Sequence, residues 1–175
     1  MNKWTIDPAH TEIGFRVKHL MISTVRGKFI KFQGEILMPE DDFTKAEITF
    51  SAETASVDTG NEMRDNHLRS PDFFDSAKFP ELSFKSKSIE KKGGNEYSVS
   101  GDFTMRGVTK EISMNASLNG IAKNMDGVRV ASFEVSGSLS RKEYGLTWNA
   151  PVEGGGVIAS DEVKLDIIAE FKEQK

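Results

Sequence analysis

The chain has 175 residues, with 23 basic and 27 acidic side chains, a formal net charge of −4, 37% hydrophobic residues and no cysteine. These values exclude intrinsic disorder, disulfides and thiolate metal sites. Charge is spread along the whole length, with no basic block that could neutralise a run of phosphates, so nucleic acid is not an expected partner.

The chain is expected to form one domain over residues 1–175, burying roughly 70% of the surface that its unfolded form exposes. Asp7 and Pro8 stand where a signal peptide needs an apolar run. No stretch approaches the ~20 apolar residues of a spanning helix. A cytoplasmic protein without an integral membrane segment is expected, or a periplasmic or secreted one if an export signal was trimmed.

In chain order, apolar residues alternate with polar ones at period two, the pattern of strands with one buried face. Ile13, Phe15 and Val17 open the series, followed by Ile30, Phe32, Ile36 and Met38 around Gly34, and then by Ile48, Phe50 and Ala52. The stretch from Ser56 to Pro80 lacks alternation and is crowded with charge. Asn61 can cap a short helix there and the Ser70-Pro71 step can end it, giving a helical insertion at one barrel mouth.

Alternation resumes at Leu82 and Phe84, at Val99, Phe103 and Met105, and at Ile112, Met114, Ala116 and Leu118. It ends with Phe133, Val135 and Leu139 and with Val163, Leu165, Ile167, Ala169 and Phe171. Lys92-Gly93-Gly94-Asn95 and Met125-Asp126-Gly127 read as hairpin turns. The total is about eight antiparallel strands, which stack as a sandwich or, the favoured reading, close into a barrel. Gly34, Gly101 and Gly137 inside strands mark the tight bends of a barrel wall. Such a barrel either fills itself with side chains or holds one ligand, and the pattern does not choose.

Chemistry-bearing clusters are sparse. His10, His19 and His67 lack the spacing of metal ligands, so no metal site is expected. Asp65 and His67 are close enough in sequence to suggest an acid–base pair, but no nucleophile elbow, phosphate loop or paired carboxylate signature accompanies them. Gly154-Gly155-Gly156 precedes a strand and reads as a flexible turn. Phe15, Val17, Phe32, Phe50, Phe84, Phe103, Met105, Met114 and Phe133 make one apolar face, either a packed core or the wall of an apolar site.

Eight runs along the chain carry a family resemblance. Trp4-Thr5-Ile6-Asp7-Pro8-Ala9-His10-Thr11, Phe15-Arg16-Val17-Lys18-His19-Leu20 and Val25-Arg26-Gly27-Lys28-Phe29 resemble the N-terminal signature of the YceI-like proteins. Val57-Asp58-Thr59-Gly60-Asn61, the run Arg64 to Ser70, and Phe79-Pro80-Glu81-Leu82-Ser83-Phe84 resemble the family's most distinctive stretch. Gly101-Asp102-Phe103-Thr104-Met105-Arg106-Gly107 and Ser140-Arg141-Lys142-Glu143-Tyr144-Gly145 continue it.

The resemblance implies an all-β, eight-stranded antiparallel lipocalin-like barrel with a short helical insertion near one mouth. It implies non-enzymatic binding, storage or transport of a long-chain isoprenoid or fatty-chain amphiphile such as an isoprenoid quinone precursor. The apolar face would line the lumen, and His10, His19, Arg64, Asp65 and His67 would meet the polar head. The alternative is a lipid-modifying enzyme using Asp65 and His67. No cofactor is expected, and homodimerisation through strand edges at the mouth is left open.

Overall fold

Alternation at period two becomes eleven β-segments in a computed structural model that describes residues 1–150 and 158–175. They are β1 (Asn2–Ile6), β2 (Glu12–His19), β3 (Ser23–Phe29), β4 (Phe32–Met38), β5 (Glu47–Glu53) and β6 (Val57–Asp58). They continue as β7 (Glu81–Gly93), β8 (Glu96–Met105), β9 (Val108–Lys123), β10 (Arg129–Ser140) and β11 (Ala159–Glu173).

The eleven segments form eight long strands, because three strands are interrupted partway. β1 and β2 both pair with β11, Ile6 opposite Phe171 and Ile13 opposite Ile167. β3 and β4 pair with β2 and β1, and β6 and β5 pair with β3 and β4. Every remaining neighbour is consecutive and antiparallel, and β1 with β11 closes the ring. The result is an up-and-down barrel in which the two-residue β6 ends the strand order and packs against the helical insertion.

The interruptions have local causes. After β1, Asp7 caps the 3₁₀ turn Pro8–His10 by accepting from the Ala9 amide, and Pro8 has no N–H to give the ladder. After β5, the buried Thr54 hydroxyl donates to the Phe79 carbonyl at 2.9 Å. Between β3 and β4 the chain resets, so Phe29 and Phe32 both turn toward the interior side and Ile30 turns out, 52% exposed. The expectation that Ile30 shares the inner face is therefore corrected.

The two expected hairpins form. Gly93 and Gly94 take φ of 145° and 54°, and Gly127 takes 75°, conformations that side chains disfavour. Gly101 is required by close approach, since a Cβ there would lie 2.3 Å from the Lys85 carbonyl, opposite the register shift between Ser86 and Ser88. Gly34 shows only ordinary contacts, so it does not mark such a bend. The Gly154–Gly156 turn lies outside the described residues.

One end of the barrel is sealed. Phe43, in the β4–β5 connection, packs on Tyr97 and Phe133 with ring centroids 4.9 Å away in each case. Trp4, fully buried, lies under the Arg129 guanidinium at 5.3 Å. At the opposite end stands helix α1 (Glu62–Arg69), capped by Asn61 accepting from the Arg64 amide at 3.1 Å and stopped at Ser70 before Pro71. Among the described residues no helix is long and apolar enough to cross a membrane.

Candidate functional site

The inward residues enclose two adjoining cavities. The upper one, beneath α1, has a volume of about 700 Å³. The lower one, toward the sealed end, is about 150 Å³. They meet at a waist of Phe15, Phe29, Leu82, Phe103 and Leu165, which line both. The barrel is thus packed in its lower half and hollow in its upper half, and the upper volume falls in the range of small-molecule sites.

Of the expected apolar residues, Phe15, Val17, Phe103 and Met105 line the upper cavity, and Phe50, Phe84, Met114 and Phe133 line the lower one. Phe32 lines neither. Its ring stacks on Phe50 at 6.4 Å on the inner face and packs against the core beside the cavity wall. The sequence reading missed Phe73, Leu146 and Trp148, which lie in connections that have no periodicity. Trp148 and Phe73 clasp the His67 ring edge-on, at 4.5 and 5.1 Å.

The polar set divides. His19, Arg64 and His67 line the upper cavity, joined by Lys18 and Arg141. Asp65 is 3% exposed behind the wall, accepting from the Thr59 amide at 3.0 Å and the Thr59 hydroxyl at 2.5 Å. The expected Asp65–His67 pair does not form, because residues two apart on a helix point to different sides. His67 Nε2 instead bonds Asp72 at 2.8 Å.

His10 also departs from expectation, because the break after β1 sets it on the outer wall, largely exposed. There it donates from Nδ1 to Asp7 at 2.7 Å, with Glu170 at 3.7 Å. Asp7, His10 and Glu170 stand close enough together to hold a cation, which the sequence spacing did not reveal. Lys172 Nζ, 3.3 Å from Asp7, already supplies positive charge to the group.

The Asp7 hydrogen bond raises the His10 pKa above 6.5, with Glu170 assisting. At Asp7 burial acts upward, but bonds from His10, Ala9 and Lys172 outweigh it and leave the carboxyl below 3.8. A raised folded-state imidazole pKa stabilises the fold fully below about pH 6.5, and the gain fades as pH rises past the raised value. His10→Ala is therefore expected to lower Tm at about pH 5.5 and to leave it unchanged near pH 9. Calorimetry at both pH values checks this; an equal loss at both would assign the effect to packing.

At the mouth, cations face the cavity and carboxylates stand behind them. Arg64 Nε donates to Thr59 Oγ1 at 2.7 Å, and the same hydroxyl donates to Asp65. Arg141, 4% exposed, donates to the carbonyls of Leu146, Trp148, Ala159 and Ser160 at 2.7–3.3 Å. Burial lowers its pKa, and Asp161, bonded to Ser140 and the Lys142 amide, pulls it back up. Every charged side chain among the described residues lining the upper cavity is basic.

A closed up-and-down barrel with an apolar lumen, sealed at one end and rimmed by basic groups at the other, defines a lipocalin-like architecture. The YceI-like domain model matches residues 4–171, and the chain belongs to that family. A UPF0312 protein of Staphylococcus aureus strain USA300 is 38% identical over 172 residues, covering 98% of each chain. The crystal structure of the Campylobacter jejuni YceI protein superimposes with a TM-score of 0.78 at 33% identity, covering 97% of this chain and 96% of that one. A polyisoprenoid binding domain from Saccharophagus degradans shares the fold at 15% identity, with a TM-score of 0.71 and 98% of each chain covered.

Proposed function

We propose that this protein binds a long-chain isoprenoid-like amphiphile without converting it chemically, and stores or carries it. The observation that carries the reading is the cavity of about 700 Å³, which adjoins a second apolar space at a waist of three Phe and two Leu side chains. An apolar tail gains roughly 25 cal/mol per Å² buried there, largely independent of its chemistry, so tail length governs selection more than tail identity. The head is held at the helix-capped mouth, where His19, Arg64, His67 and Arg141 favour an acceptor-rich or anionic group. The Saccharophagus domain, named for polyisoprenoid binding, is consistent with this reading at the level of fold.

Native mass spectrometry of the purified protein, followed by organic extraction, tests the proposal. One long-chain adduct per barrel is the expected result. A clean unliganded mass, with no uptake of an added polyprenyl lipid, overturns it. His67→Ala separates carrier from enzyme: a carrier shows altered binding alone, whereas an enzyme loses turnover of a bound lipid with binding intact.

A further inference from the structure

The hairpin joining β2 to β3 carries Leu20, Met21 and Ile22 at its tip, 39%, 60% and 84% exposed. Leu20 and Met21 adopt φ of 54° and 62°. That left-handed region disfavours any side chain with a Cβ and is usually filled by Gly, Asn or Asp. The tip is therefore unfavourable in water on two counts, exposed apolar surface and backbone strain, and strain of this kind persists where function requires it. The Leu20 amide bonds the Ile158 carbonyl at 2.8 Å, anchoring the base of the hairpin.

The location is as informative as the composition. Lys18 and His19, at the foot of the hairpin, line the upper cavity. So does Met63 of α1, itself 84% exposed. The foot of the hairpin and Met63 thus border the same cavity, and the apolar tip continues directly from that foot.

We propose that the Leu20–Ile22 tip, together with Met63, inserts into the interfacial layer of a lipid bilayer and sets the mouth against it. An amphiphile then passes between bilayer and lumen without crossing water. The proposal rests on the lumen reading for its cargo. A bilayer fits better than a protein partner because a convex tip of three consecutive side chains is far from the ~800 Å² per side of a stable protein interface. A bilayer accepts isolated apolar side chains with basic neighbours at headgroup depth.

The test compares the full chain with a Met21→Asn/Ile22→Asn variant, which removes the two most exposed of the three tip side chains while placing at position 21 a residue that tolerates the left-handed conformation. Sedimentation with phosphatidylcholine–phosphatidylglycerol vesicles is expected to show binding of the wild type and about tenfold weaker binding of the variant. Transfer of a pyrene-labelled fatty acid out of the vesicles slows in parallel. Uptake of the same probe added without vesicles, and Tm, are unchanged or higher.

Equal vesicle binding by the two proteins, or none by the wild type, overturns the proposal. So does a wild-type dimer that the variant dissociates, since the tip would then be a contact between copies. If neither protein takes up the probe without vesicles, the lumen reading fails, and vesicle sedimentation still decides the role of the tip.

Discussion

Leu165→Trp is expected to shorten the longest tail that the barrel accepts, with about a hundredfold loss of affinity for a long prenyl chain and little change for a short one. Leu165 lines both cavities at the waist. It sits across from Phe15 on one side and Gly137 on the other, where the flexible Met114 side chain leans over the glycine and can give way. An indole there occupies the passage and confines the tail to the upper cavity. Excluding about four methylenes at about 0.8 kcal/mol each removes about 3 kcal/mol, which sets the hundredfold figure. Competition binding with prenyl alcohols of graded length checks it. A uniform loss at all lengths would mean that the tail does not pass the waist.

Arg141→Ala is expected to lower folding stability by about 3–5 kcal/mol, the range for breaking a buried charged network. The guanidinium is 4% exposed and ties four carbonyls, from Leu146, Trp148, Ala159 and Ser160, into one unit. Removing it strands those acceptors and frees the connection that carries Trp148 onto the cavity wall. Arg141→Lys is expected to recover less than half of the loss, because an ammonium is a point donor and cannot span the planar fork. Urea unfolding gives both numbers from the midpoint at constant m. A loss below about 1 kcal/mol for Arg141→Ala would show that water takes over the carbonyls.

The expected polar residues reach the cavity unevenly, for reasons that lie in geometry. His19, Arg64 and His67 reach the cavity because the end of β2 and one side of α1 face it. Asp65 is on another side of the same helix and serves Thr59. His10 is turned outward by a strand break whose cause, Asp7-Pro8, was visible in the sequence although its consequence for side-chain direction was not. Arg141 and Trp148 lie in a connection without alternation, where only the fold shows that a buried cation lines the cavity.

The sequence by itself determined most strands of the wall, its main hairpins and the capped helix. Each of these rests on contacts within a few residues: alternation at period two, Gly93-Gly94 and Asp126-Gly127 turns, and Asn61 over the Arg64 amide. Only the tertiary structure decided that the lower half packs while the upper half stays hollow, and that basic groups face inward with Asp65, Asp72 and Asp161 behind them. The reason is that cavity volume and charge direction depend on which residues of distant strands share a level of the barrel. Each strand break resets that level, and local periodicity carries no record of the reset.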